Sequence, residues 1–241
     1  MSNWNELANT YESFSVREDS LDTLQDWPAQ LDAVGDISEL SILDIGCGSG
    51  RKALHFAVSG AKKVIGVDVS KPFIEAWETR DKPSNLEFYE GDISALEEVA
   101  VLTNQNFDLI TCFMVLGYST NIKKTIRFIR SKLKTGGRFV LTTAHPFRFA
   151  VEQFEQRGQK IGISYRQEGL YQYDSSWDKN ISVSHQKPMI STCINMMISN
   201  GFRLDAMHEP DISPSGRRDF PHKAEWVDQY LGLVVYRLAA V

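Results

Sequence analysis

The stretch Ile42-Leu43-Asp44-Ile45-Gly46-Cys47-Gly48-Ser49-Gly50 has the residue types and spacing best suited to holding a ligand. Its glycines let the backbone turn tightly and lie bare against a bound molecule. Asp44 stands just ahead of them. A pyrophosphate sits poorly beside that carboxylate, whereas an ammonium or sulfonium is favoured there. The GxGxG spacing also departs from the GxGxxG dinucleotide fingerprint. Eighteen residues beyond Gly50 comes Asp68, in Val64-Ile65-Gly66-Val67-Asp68-Val69-Ser70. A carboxylate ending the second strand of such a unit commonly accepts hydrogen bonds from ribose hydroxyls. The plainer reading of Asp68 is an N-cap for the segment opening at Ser70-Lys71-Pro72. Loop and acid together favour the ligand.

Among the five histidines, His145 and His185 are the candidates for a catalytic base. His145 follows the fifth predicted strand, at the carboxyl edge where open α/β sheets bind ligands. Its alternative role is the turn made with Pro146. His185 ends a later aromatic segment. His55 reads as packed on the first helix after the loop, and His208 and His222 have no evident partner. Cys47, Cys112 and Cys193 are widely spaced and form no CxxC pair, which argues against a disulfide framework and a cysteine zinc site. No His, Asp or Glu grouping has metal-ligand spacing, so no metal is expected.

The elements that position these residues alternate. Runs at Ser41–Ile45, Lys63–Val69, Asn85–Tyr89, Phe107–Phe113 and Arg138–Thr143 are apolar and β-rich, as strands buried on both faces of a parallel sheet must be. Helix-length segments separate them. In one, Ile122, Ile126, Ile129 and Leu133 recur at helical spacing against a basic face, with Gly136-Gly137 as the expected stop. Repeated βα units predict a doubly wound α/β sheet. Residues 1–40 read as a helical cap, and 41–146 with 188–241 as the core sheet. Residues 147–187, rich in aromatics and alternating in short strand-like pieces, read as an inserted lid with a hairpin across Asp174–Lys179. A helix near Pro188–Ser199 and strands Phe202–Met207 and Leu231–Leu238 close a single domain over 1–241. A chain of 241 residues with 42% hydrophobic content builds its own core. No apolar run reaches a bilayer span, and the amino terminus lacks a secretory leader pattern, so a cytoplasmic monomer or homodimer is expected, with no membrane partner.

The glycine loop resembles motif I of the class I S-adenosylmethionine-dependent methyltransferases, small-molecule branch, and the likeness continues in order. Gly66–Ser70 resembles the second motif, Glu90-Gly91-Asp92-Ile93 the third, Phe107–Tyr118 the fourth and Leu133–Thr143 the turn into the fifth strand. Ile190–Pro210 resembles the helix, GF, strand, EP ending of that branch, and residues 4–29 its N-terminal cap. The resemblance implies a Rossmann-like, mostly parallel seven-stranded sheet with its last strand antiparallel, and S-adenosyl-L-methionine as cofactor. It implies that Asp44, Gly46, Cys47, Gly48 and Gly50 meet the methionine moiety. Asp68 would take the ribose hydroxyls, Val69 would pack on adenine, and Asp92 and Ile93 would bind the adenine edge. Cys112 and Phe113 would offer carbonyls to the methionine amino group, and Tyr11 would close over the cofactor. Where many relatives carry a histidine, this chain has Gly117, which removes an imidazole.

The implied reaction moves a methyl group to O, N or C of a small organic acceptor, with the lid aromatics as an apolar or planar pocket. The alternative is a tRNA or rRNA methyltransferase. Eight Lys and Arg and no Asp or Glu lie between Leu109 and Val151, although the net charge is −5. The amphipathic helix in that segment accounts for the basic residues as a solvated face, which argues against a nucleic-acid partner.

Overall fold

The computed structural model describes residues 4–175 and 177–241. Helix α1 (Trp4–Ser15) and a π-helical turn (Asp22–Asp26) lead into α2 (Trp27–Val34), which agrees with a helical cap. Then follow β1 (Ser41–Ile45), α3 (Arg51–Val58), β2 (Lys63–Asp68), α4 (Lys71–Glu75) and β3 (Leu86–Glu90). Short 3-10 turns connect to β4 (Phe107–Phe113), α5 (Ile122–Lys132) and β5 (Leu133–Ala144). The lid holds α6 (Pro146–Arg157), α7 (Ile161–Arg166), β6 (Gly169–Asp174) and β7 (Ser182–Lys187). The chain ends with α8 (Ile190–Ser199), β8 (Phe202–His208), α9 (Pro214–Asp219), α10 (Pro221–Tyr230) and β9 (Leu233–Ala240).

The main sheet runs β3-β2-β1-β4-β5-β9-β8, seven strands with β9 antiparallel to both neighbours, the Rossmann-like order expected. Because β1 lies between β2 and β4, the chain leaves it in opposite directions. A crevice therefore opens at the carboxyl ends of these strands. One face of the sheet is packed by Ile126 and Ile129 of α5 and Cys193 and Met197 of α8. The other is packed by Ala33 and Val34 of α2 and Phe56 and Ala57 of α3. Both faces are dry, which is why the strands read as near-continuous apolar runs.

Two sequence expectations are corrected. The α5 helix stops at Lys132, ahead of Gly136-Gly137, because Leu133 already pairs with Phe107. The register then shifts between Phe107 and Leu109, and the two glycines sit within the irregular part of β5. Residues 146–166, expected as strand-like pieces, are largely helical. The signals were present: His145 caps through its side chain, Pro146 opens α6, and Gly158 ends it in the left-handed region at φ +67°. The hairpin across Asp174–Lys179 forms, with Tyr171 opposite His185 and Tyr173 opposite Val183. Helices α9 and α10, between the last two strands, had no counterpart in the strand pattern.

The basic residues of the Leu109–Val151 segment are largely tied to neighbours. Lys124 pairs with Glu97, Lys134 with Asp108 at 2.8 Å, and Arg130 donates to the Gly201 carbonyl at 2.9 Å. The cap reaches the lid through a small separate core, in which Leu7 packs with Ile181 and Val183 beside Trp4, Tyr118 and Tyr173. Leu7 is 1% exposed. Leu7→Ala is expected to lower stability by about 2–5 kcal/mol in denaturant unfolding. A loss within about 0.5 kcal/mol, the size of a surface change, would show that the cap is not part of the cooperative unit.

Candidate functional site

The turn after β1 is held by its own main chain. Gly46 and Cys47 both donate their amides to the Val67 carbonyl, at 2.7 and 3.1 Å, which joins the loop to β2. Gly46 has φ +71°, and a Cβ there would collide with the side chain of Val115. Gly48 has φ +55°, and the nearest side-chain atom to a Cβ placed on it is Phe73 Cε2 at 4.0 Å. Bare main chain thus faces an open cavity at this point. Gly50 instead turns toward Trp77 and Phe88, and Trp77 Nε1 donates to the Ser49 carbonyl at 2.9 Å.

Behind the loop, Asp44 is 2% exposed and accepts a hydrogen bond from Thr111 Oγ1 at 2.7 Å. Burial pushes its carboxyl up to about 6, against the opposing pull of that hydrogen bond and of Lys52. Asp68 is the hub between loop and strand. Its Oδ2 accepts from the Gly48 amide and its Oδ1 from the Ser70 amide, both at 2.8 Å. The carboxyl is raised by desolvation and held back by those amides. The N-cap of α4 is Ser70 and not Asp68, whose bond to the Ser70 amide closes a turn ahead of the helix; each carboxylate oxygen keeps a second lone pair.

The loop and Asp68 line one end of a cavity of about 830 Å³, with Asp44 behind its wall. Gly46, Gly48, Asp68, Val69, Asp92, Ile93 and Phe113 face it. Asp92 caps the turn that follows β3, accepting from the Ser94 amide at 2.7 Å. Cys47 and Cys112 are buried behind the wall, and burial pushes both thiols well above their ordinary value, as it does for Cys193. None has the thiolate character a nucleophile needs.

The other end of the cavity is built by cap and lid. Tyr11 stands edge-on to Trp177, with ring centroids 4.9 Å apart, and Trp4 packs edge-on to Tyr11 and Tyr118. Burial, with Asp22 and Asp26 nearby, keeps the Tyr11 phenol protonated. Asp22 is bound by Arg51 at 2.5 Å and Lys52 at 2.6 Å. Asp26 also lines the cavity, and burial next to Asp22 lifts its carboxyl to about 7. Sequence reasoning missed Asp26, which sits in the π-helical turn of the cap and was singled out by no spacing of its own.

The two histidine candidates separate. His145 is 3% exposed and sits outside the cavity wall formed by its neighbours Ala144 and Pro146. Its Nδ1 accepts from the Phe147 amide at 3.1 Å, so Nε2 carries the proton and donates to Glu209 Oε1 at 2.8 Å. With both nitrogens engaged and no place in the cavity lining, it is held as the cap of α6. His185 lines the cavity. Its Nδ1 donates to the Gln186 carbonyl at 3.1 Å, and desolvation lowers the ring's proton affinity. The result is a neutral imidazole whose Nε2 is the acceptor nitrogen. It sits among Phe149, Tyr171 and Tyr173, at centroid distances of 4.7, 5.8 and 5.6 Å. Gly117 makes room for this strand: a Cβ there would lie 3.1 Å from the Gln186 carbonyl oxygen and 3.4 Å from His185 Cβ. The position without an imidazole is thus covered by one from β7.

Residues 36–201 match the family model described as a methyltransferase domain. A Haemophilus influenzae protein is 27% identical over 215 residues, covering 84% of this chain and 83% of its own. The demethylmenaquinone methyltransferase of Lactococcus lactis is 33% identical over 127 residues, covering 50% of this chain and 49% of its own. Past the Haemophilus protein, the chain spans about half the length of such curated relatives. Among solved structures, an S-adenosylmethionine dependent methyltransferase from Mesorhizobium loti superposes with a TM-score of 0.74 at 23% identity, covering 89% of this chain and 97% of that one.

Asp44 generates a test. Its carboxyl binds a proton more tightly folded than unfolded, so its contribution to stability falls as pH rises from about 4 through about 6. Asp44→Asn is expected to stabilise the ligand-free protein at pH 7.5 by up to about 3 kcal/mol, with the gain vanishing below pH 4. Thermal unfolding across that range reads it. A destabilised variant at pH 7.5 would contradict the electrostatic account.

Proposed function

The chain belongs to the family of methyltransferase domains, and on that premise we propose that it moves a methyl group from S-adenosylmethionine to an oxygen, nitrogen or carbon of a small organic acceptor. One observation carries the acceptor half of this reading: a single cavity runs from the glycine loop and Asp68 to a lid bearing an aromatic cluster and a neutral imidazole. The residues present fit the cofactor. Gly46 and Gly48 leave bare main chain for the methionine moiety, and Asp44 supplies a buried negative charge that favours a cation nearby. Asp68 has lone pairs for ribose hydroxyls, Asp92 and Ile93 line the same wall and would take the adenine edge, and Val69, 38% exposed, offers an apolar face. Phe113 at the end of β4 and Tyr11 from the cap complete the enclosure.

When bound, S-adenosylmethionine supplies a methyl group already activated on a sulfonium. What remains for the protein is to position the acceptor, exclude water and remove a proton. The Trp4, Tyr11 and Trp177 cluster draws cap and lid together over the cavity, which serves the first two tasks. His185 Nε2 is the proton acceptor for an acceptor hydroxyl or ammonium, with Nδ1–H anchored on the Gln186 carbonyl so that the tautomer stays fixed. A small-molecule acceptor is favoured over a nucleic acid because the cavity is covered by the lid, while basic residues of α5 are spent on local contacts.

The test is release of S-adenosylhomocysteine from S-adenosylmethionine in the presence of a metabolite extract. Wild-type protein is expected to release it in an extract-dependent way, and total inactivity would refute the reading. With the acceptor in hand, the acid limb of kcat/KM should lie below the ordinary histidine value of about 6.5, because desolvation lowers the His185 ring. His185→Gln should reduce kcat by about 10²–10⁴-fold and abolish that limb, with cofactor affinity retained. His145→Gln should leave the limb in place.

A further inference from the structure

Strand β7 carries more than an imidazole on its inner face. Alternation along the strand puts Val183, His185 and Lys187 on the same side, and all three are buried. Lys187 is 4% exposed and lines the cavity. Its ammonium donates to the Ser164 carbonyl at 2.8 Å and has no carboxylate within ion-pair distance among the described residues. A buried ammonium normally has an anionic partner, because desolvating an unpaired charge is costly. Glu168 acts on it only from beyond ion-pair distance, and the Tyr171 ring lies 6.0 Å away. Glu168 accepts from the Met189 amide at 2.7 Å, and Glu152 is shared between Arg148 and the Tyr171 hydroxyl. Asp26, in the cap, has Lys52 and Arg148 as the cations acting on it.

A second, independent feature lines the same cavity. Tyr236 on β9 lines it, is 1% exposed, and its hydroxyl is buried without a hydrogen-bond partner among the described residues. Burial keeps that phenol protonated, and with only the Cys193 thiol and the Thr143 hydroxyl beside it, it is a donor without a well-aligned acceptor. Orphaned buried hydroxyls are uncommon in folded proteins and call for a partner. Pro188 and Cys193 line the wall along with Lys187 and Tyr236.

We propose that this cavity binds an anionic group of the acceptor, so that the substrate is an organic acid recognised by Lys187 and Tyr236. A carboxylate supplies the missing counterion for Lys187 and the missing acceptor for Tyr236. The aromatic wall of Phe149, Tyr171 and Tyr173 suits a planar body, and His185, two residues before Lys187, then faces the nucleophilic atom. Lys187 and Tyr236 act as specificity residues, not in the transfer itself. This inference rests on the methyltransferase reading above, and the experiment separates the two.

Protein saturated with S-adenosylhomocysteine is titrated with a set of hydroxybenzoates, the matching hydroxybenzamides and the matching hydroxybenzylamines, followed by calorimetry. Saturation itself is measured first, and its failure would count against the function, leaving the acid preference to be judged by the same titrations on unloaded protein. At least one hydroxybenzoate is expected to bind tenfold or more tightly than its amide and its amine. Lys187→Met should bring the acid to the level of the amide and leave S-adenosylhomocysteine affinity unchanged. Tyr236→Phe, which only removes an orphaned hydroxyl and so preserves the fold, should weaken the acid several-fold and the amine not at all. An acid bound no more tightly than its amide throughout the set, including no binding by any of the three classes, would overturn the proposal. So would an acid preference that survives both substitutions.

Discussion

A carboxylate buried at the end of a central parallel strand is the constraint around which the site is arranged. Asp44 is nearly inaccessible, satisfied on one oxygen by Thr111 of the neighbouring strand, and raised to about 6 by desolvation. It can be kept ionised at neutral pH only at a cost to the folded protein. The loop that follows turns away over bare main chain, because Gly46 packs where a side chain would strike Val115. Asp68 then clasps that loop through the Gly48 amide. Two acidic residues, two strands and one tight turn thus create a space that is negatively charged, main-chain-walled and open on one side.

What closes the open side comes from distant parts of the chain. The cap contributes Trp4, Leu7 and Tyr11, and the lid hairpin contributes Tyr173, Trp177, Val183 and His185. Their contacts are apolar and edge-to-face aromatic, a type of packing that tolerates opening without breaking a charged network. Among the described residues no helix is long and apolar enough to cross a membrane, and no group of metal-ligating side chains gathers.

The strand positions and the glycine loop were legible in the sequence because they depend on short-range pattern. Apolar runs mark strands covered on both faces, and alternating GxGxG glycines with acids at 44 and 68 mark a ligand turn. Strand Phe107–Phe113 and the hairpin across Asp174–Lys179 followed from the same logic, whereas the hairpin's register, Tyr171 opposite His185, did not. The α6 helix was masked by the density of aromatics between Phe147 and Phe154, although His145, Pro146 and Gly158 carried its start and stop. The choice between His145 and His185 was not legible, because it turns on a contact between residues 145 and 209, far apart in sequence. Lys187 and Tyr236 were invisible for the same reason: an unmet charge or hydroxyl is defined by what does not surround it in space.

The central claim is that the glycine-loop end of the cavity is an S-adenosylmethionine site governed by Asp68. Isothermal titration of the purified protein with S-adenosylmethionine, in parallel with Asp68→Ala, tests it most directly. One molecule bound per chain by the wild type, with affinity lost by about tenfold or more in the variant, is the predicted result. Absence of binding to a folded wild-type protein, or equal binding by both proteins, would contradict it.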